Sequence, residues 1–153
     1  MESLYQTKAA RREAANEAVV IHCGDHRFQN AFHEFLTVGL KLESYALLVI
    51  PGGGHFAAAE LFMPKFAKVE LQSLGFLVKR SGARRIVIFG HDDCLFFKER
   101  LQFFFTEEQP NQKQFRSLLK SRSVLCERFP AVAIEIYFAD VADEGSYQLL
   151  KVE

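Results

Sequence analysis

The sequence predicts an α/β fold: a mostly parallel β-sheet of four to five strands flanked by helices. Three observations carry that prediction. Compact β-branched or aromatic runs at 18–22, 45–50, 85–89 and 132–138 alternate with segments of helical length and pattern. The first three runs are almost continuously apolar, as strands covered on both faces are. The resulting β-α-β-α-β-α-β order favours parallel neighbours joined by right-handed crossovers.

Taken in order, residues 2–18 are rich in Ala, Glu, Arg and Lys and lack Gly and Pro, which predicts a helix with a thin apolar stripe. We read 1–17 as an N-terminal helical arm and 18–153 as a single α/β domain, because 153 residues bury one continuous core and not two. The first strand runs straight into Cys23-Gly24. A helical pattern over 29–42 leads to the second strand, and another over 56–81, interrupted at Pro64, leads to the third. The third helix, 111–129, precedes the fourth strand. Asp143-Glu144-Gly145 predicts a turn, after which 146–152 returns as a short final strand by hairpin.

Composition narrows the function classes. Hydrophobic residues make up 49% and charged residues 25%, with a formal net charge of zero. That balance leaves no electrostatic footprint for nucleic acid or an anionic membrane, so neither is expected as a partner. No apolar run approaches the roughly 20 residues of a membrane span. The polar, charged segment 1–16 does not read as a signal peptide, and the expectation is a cytoplasmic protein. Three cysteines form an odd set, which points to thiolate chemistry or metal binding over a disulfide framework. Sixteen phenylalanines are more than a core of this size needs, and some are expected to face a second subunit.

Two segments concentrate the reactive side chains: Cys23-Gly24-Asp25-His26-Arg27 after the first strand and His91-Asp92-Asp93-Cys94 after the third. Two thiolates and one imidazole give a zinc ion three protein ligands and leave its fourth position for water or substrate. Both segments lie at carboxyl ends of strands, where open α/β sheets collect ligands, so they meet if the first and third strands are neighbours. The plainer alternatives are two buried cysteines and a core histidine, a capping role for Asp25 and a surface ion pair for Arg27.

The pairing of CxDxR with HxxC, in this order and each after a strand, resembles the β-class carbonic anhydrases. The helix-into-strand stretch with Ser73-Leu74-Gly75-Phe76-Leu77-Val78 and Arg84-Arg85-Ile86-Val87-Ile88-Phe89-Gly90-His91 is similar to that family too, so the likeness covers most of the chain from about Ala18. The resemblance implies a zinc enzyme that hydrates carbon dioxide to bicarbonate reversibly. Cys23, His91 and Cys94 would hold Zn2+, and Asp25 with Arg27 would form the catalytic dyad that orients a zinc hydroxide. It further implies a closed state with Asp25 as fourth zinc ligand, and a homodimer or higher homo-oligomer in which the N-terminal arm lies over the partner. Where the family often carries Arg-Asn-Ala-Gly, this chain has Ile50-Pro51-Gly52-Gly53-Gly54. Where glycine commonly follows the last zinc cysteine, Leu95 stands, followed by Phe96 and Phe97. These departures keep open a COS or CS2 hydrolase on the same site, and a catalytically weak zinc-binding relative.

His22, His26, His33 and His55 read as packed or solvated side chains, with His55 the best of them for proton relay because Gly52-Gly53-Gly54 lets backbone approach the crevice. Cys126, beside Val124 and Leu125, reads as core.

Overall fold

Strand β1 (Ala18–His22) is buried along its whole length inside a five-stranded sheet. The computed structural model describes residues 3–8, 15–142 and 145–153. The other strands are β2 (Tyr45–Val49), β3 (Arg85–His91), β4 (Ala133–Val141) and β5 (Tyr147–Lys151). Their order is β2-β1-β3-β4-β5, with β1 to β4 parallel and β5 antiparallel on β4, as the hairpin reading expects. The crossovers run through α1 (Gln29–Glu34), α2 (Pro64–Ser81) and α3 (Pro110–Arg128).

Period-two alternation divides the core into two layers. Val19, Ile21, Ile86, Ile88, Ile134 and Ile136 point to one face, against Leu71 and Leu74 of α2 and Leu118 and Leu125 of α3. Val20, Val87, Phe89 and Tyr137 point to the other, against Phe28, Phe32 and Leu36 of the α1 layer. Each large aliphatic or aromatic side chain removed from water in this way contributes about 1.5–3 kcal/mol. β1 and β3 are direct neighbours, with Ile21 paired to Ile88, so extending that register by two residues brings Cys23 level with Gly90. This pairing delivers the two reactive segments to one place.

The structure differs from the sequence reading at several points. β2 is an edge strand whose Leu47 and Val49 are exposed, because only β1 flanks it; an apolar string alone does not say whether a strand lies inside a sheet. Gln29–Glu34 is followed by a π-helical turn at Phe35–Gly39 instead of one helix to residue 42. Residues 53–56 and 58–61 form two 3₁₀ turns, and α2 starts only at Pro64, whose fixed φ and missing N–H suit a first helical position. Gly82, at φ +67, ends it in the left-handed conformation. No helix forms at 3–8 or 15–17, where Leu4 and Tyr5 stand in solvent and offer no packed face to stabilise one. The rest of the expected arm before Glu17 lies outside the described residues, as do Asp143 and Glu144 of the predicted turn. Cys126 is exposed and not core, since it sits one position, about 100° of helix rotation, beyond inward-facing Leu125.

The glycine run after β2 has a steric cause. A Cβ on Gly54 would lie 1.9 Å from Ile88 Cγ2 on the central strand β3. Gly53 takes φ +52, and a Cβ there would come within 2.7 Å of the Cys23 backbone nitrogen and 2.8 Å of the Phe89 carbonyl oxygen. The turn is thus pressed onto the ends of β1 and β3, beside the reactive loops.

Among the described residues, no helix is long and apolar enough to cross a membrane.

Candidate metal centre

β1 ends one residue before Cys23, and β3 runs on through His91, two residues beyond its predicted end. One ligand atom from each of Cys23, His91 and Cys94 lies within 4.8 Å of the others. All three residues are buried, and Cys23 and Cys94 are free thiols. Such a donor set could hold a metal ion, and it is the only such cluster among the described residues.

The histidine fits that role atom by atom. Its Nδ1 faces the Asp92 carbonyl oxygen at 2.7 Å, and a carbonyl only accepts, so Nδ1 carries the proton. Nε2 is then a bare lone pair, and it is buried with no hydrogen-bond partner among the described residues. An unsatisfied buried polar atom costs about 1–3 kcal/mol, and a bound cation is what relieves it. The thiols are matched to the same task. The neighbouring Cys94 thiol first, then the His91 ring and the Gly52 N–H at 3.4 Å from Sγ, bring Cys23 down to about 4 against the opposing effect of burial. The Cys23 sulfur in turn pushes Cys94 up, so without a cation the pair shares one proton, with Cys23 as the thiolate.

Asp25 and Arg27 pair on the same turn. Arg27 donates from Nη2 to Asp25 Oδ2 at 2.7 Å and from Nε to Oδ1 at 3.1 Å, while its backbone N–H reaches Oδ1 at 3.0 Å. Asp25 is therefore also the N-cap of the 3₁₀ turn His26–Phe28, so the capping and ion-pair readings hold together. The guanidinium brings its carboxyl down to about 2. Gln29 Nε2 bonds the Cys23 and Asp25 carbonyl oxygens, both at 2.9 Å, and pins the loop. With both its oxygens engaged by Arg27, Asp25 stands outside the three-residue cluster.

Two further residues escape the motif reading. Asp93 Oδ2 accepts from Arg27 Nη1 at 2.9 Å, and Lys98 pairs with the same carboxylate. An acidic residue between two candidate metal ligands was the available signal. A cavity of about 580 Å³ opens beside this network, lined by Arg27, Phe28, Asp93, Phe97, Lys98 and Gln114 among others; the three sulfur and imidazole residues do not line it. The apolar stretch after Cys94 folds over the cluster: Phe97, Leu101 and Phe105 pack with Cys23 and Cys94. Leu95 instead points outward and is 59% exposed.

His55 is fully buried. Its Nδ1 meets Ser117 Oγ at 3.0 Å, its Nε2 meets Gln114 Oε1 at 3.2 Å, and its ring lies 4.6 Å from that of Phe97. Burial brings it down to about 3, so it is a neutral packed side chain near pH 7. Gln114, Ser117 and Ser121 on the inward face of α3, among Leu118 and Leu125, were the sequence signal for a buried polar partner.

Three solved structures overlay most of the chain. They are a carbonic anhydrase from Glaciozyma antarctica (18% identity, 91% of this chain and 83% of that one, TM-score 0.56), the β-carbonic anhydrase isoform I of Trichomonas vaginalis (13%, 95% and 90%, TM-score 0.57), and the apo form of a carbon disulfide hydrolase (14%, 91% and 80%, TM-score 0.53). The chain has the β-carbonic anhydrase fold. No protein-family model matches the sequence, and no curated protein matches it. The β-carbonic anhydrase fold thus persists here at identities where sequence comparison is silent, with a Cys-His-Cys group at the ends of its central strands.

Proposed function

We propose that this protein is a zinc enzyme that hydrates carbon dioxide reversibly to bicarbonate. The observation that carries the reading is the buried Cys23, His91 and Cys94 cluster, with an unpartnered His91 Nε2, set beside a carboxylate held by its own arginine. The donor set fits zinc, and bound zinc supplies the Lewis acidity that makes water a nucleophile near neutral pH. Around it, Asp25 remains ionised at any physiological pH, so its oxygens accept a hydrogen bond and orient an O–H donor without taking its proton. Arg27 fixes the direction of that carboxylate and adds positive charge where bicarbonate forms. Phe97, Leu101 and Phe105 exclude water from the sulfur side. In the proposed closed state Asp25 would leave Arg27 and serve as a further zinc ligand.

Stopped-flow carbon dioxide hydration by the zinc-loaded protein, from mildly acidic to alkaline pH, tests the reading. Wild type should exceed the buffer rate, and Asp25→Ala should lose about a hundredfold. Wild-type rates equal to buffer at every pH would remove the assignment and leave a zinc-binding relative without turnover. A second reading, hydrolysis of COS or CS2, draws support from the likeness to a carbon disulfide hydrolase and from the apolar cover over the cluster. Sulfide release from CS2 by the same preparation separates the two.

We further propose a cytoplasmic homodimer or higher homo-oligomer, with segment 1–17 as an arm over the partner. Free thiols suit a reducing compartment. The open β2 edge and outward Leu95 and Phe103 are apolar surfaces suited to a second copy. Light scattering of a chain beginning at Glu17 tests the arm; an unchanged oligomer would remove it.

A further inference from the structure

The Arg27 guanidinium is held along two edges, and only one of them belongs to the dyad. Nε and one Nη2–H take Asp25. On the other side Nη1 donates to Asp93 Oδ2 at 2.9 Å, and Nη2 reaches the Asp93 carbonyl oxygen at 3.3 Å. Arg27 is 39% exposed in its side chain, and a long exposed side chain with one partner keeps much of its rotational freedom. A planar group bonded on two edges cannot turn without breaking both sets. Asp93 takes donors that Asp25 does not use, so the carboxylates do not compete for the same N–H groups.

The local backbone and charge agree with this placement. Asp93 has φ +55, a left-handed conformation that Asp and Asn accept more readily than other side chains, and that conformation lets both its carbonyl and its carboxylate face Arg27. A second carboxylate alone would over-neutralise Arg27 and leave the site side net negative, opposing a developing bicarbonate. Lys98, paired with Asp93, returns the charge, so Asp25, Arg27, Asp93 and Lys98 sum to zero.

We propose that Asp93, braced by Lys98, is a positioning residue that clamps the free edge of Arg27 and thereby fixes the Asp25 carboxylate for the reaction. The inference rests on the proposed hydration function for its kinetic consequence, and on the geometry alone for the clamp. Asp93→Asn retains the backbone conformation and removes the charge. In the zinc-loaded protein it should lower kcat about tenfold with KM, zinc content and melting temperature unchanged. By 15N exchange NMR, rotation of the Arg27 guanidinium about Cζ–Nε should be slow in wild type and several-fold faster in the variant. Lys98→Met should move both readouts the same way by less, and it stands in if the first variant does not fold. Wild-type rotation in the variants overturns the clamp whether or not the protein hydrates carbon dioxide. If wild type does hydrate it, faster rotation with an unchanged kcat overturns the positioning role. If wild type does not, the function fails and the rotation data still decide the clamp.

Discussion

His91 and His55 are equally buried, 1% and 0% exposed, yet they differ in what their ring nitrogens meet. His55 has a partner at each nitrogen, Ser117 and Gln114. His91 has one partner, the Asp92 carbonyl, and an orphaned Nε2 aimed among two thiols. The first histidine is complete as a packed polar side chain. The second leaves a ring nitrogen among donors that could hold a cation, as the proposed function requires. Burial alone therefore does not separate a structural histidine from a ligand; the accounting of donors and acceptors does.

The widest gap between the two should appear on truncation. His91→Ala is expected to lose stoichiometric zinc, measured by elemental mass spectrometry, and to cut carbon dioxide hydration by more than about 10³-fold. Retention of one zinc per chain would break the distinction from that side. His55→Leu should keep its zinc and instead destabilise the fold by about 3 kcal/mol in urea unfolding, because Gln114 Oε1 and Ser117 Oγ lose their partner inside the core. A loss of metal with unchanged stability would place His55 in the centre after all.

Acid sharpens the comparison further. His55 is held at about 3 in the fold against 6.5 unfolded, so between those values the unfolded chain binds a proton that the native chain does not. Stability is therefore full above pH 6.5 and falls with pH, by about 2 kcal/mol from pH 7 to pH 5 for this residue. His55→Leu should reduce that slope by its share, while His22, also held down by burial, and the Cys23 thiolate keep contributing slopes of the same sign. A slope unchanged by the substitution would mean that His55 is not the buried neutral group. The smallest effect belongs to Ser117→Ala, about 1 kcal/mol, which removes one of the two bonds and leaves Nδ1 unpaired. Equal losses in Ser117→Ala and His55→Leu would show that the hydroxyl bond, and not the imidazole's full satisfaction, holds the cluster.

Much of the centre was legible in the residues themselves. Cys23, Asp25, Arg27, His91 and Cys94 all come to the carboxyl ends of β1 and β3, where the motif spacing put them. Asp93, Lys98, Gln114 and Ser117 were not legible as partners, because their roles depend on which side chain stands opposite after folding. In the sequence the glycines at 53 and 54 read only as a departure from the family's turn and as room for backbone near the crevice. In the structure they are a requirement of contact, since a Cβ at either would strike β1 or β3. Cys126 and β2 were misplaced for a related reason: an apolar neighbourhood in sequence fixes neither the angle of a residue around its helix nor whether a strand has a neighbour on both sides.

The sequence by itself determined the α/β class, the parallel strands and the set of donor atoms, because period, apolar runs and ligand chemistry are local properties of the chain. Only the tertiary structure decided that β1 and β3 adjoin, that His91 keeps one nitrogen free while His55 keeps none, and that Arg27 answers to two carboxylates. Those outcomes are pairings between distant segments. Each depends on which donor meets which acceptor at about 3 Å, and no reading along the chain contains that distance.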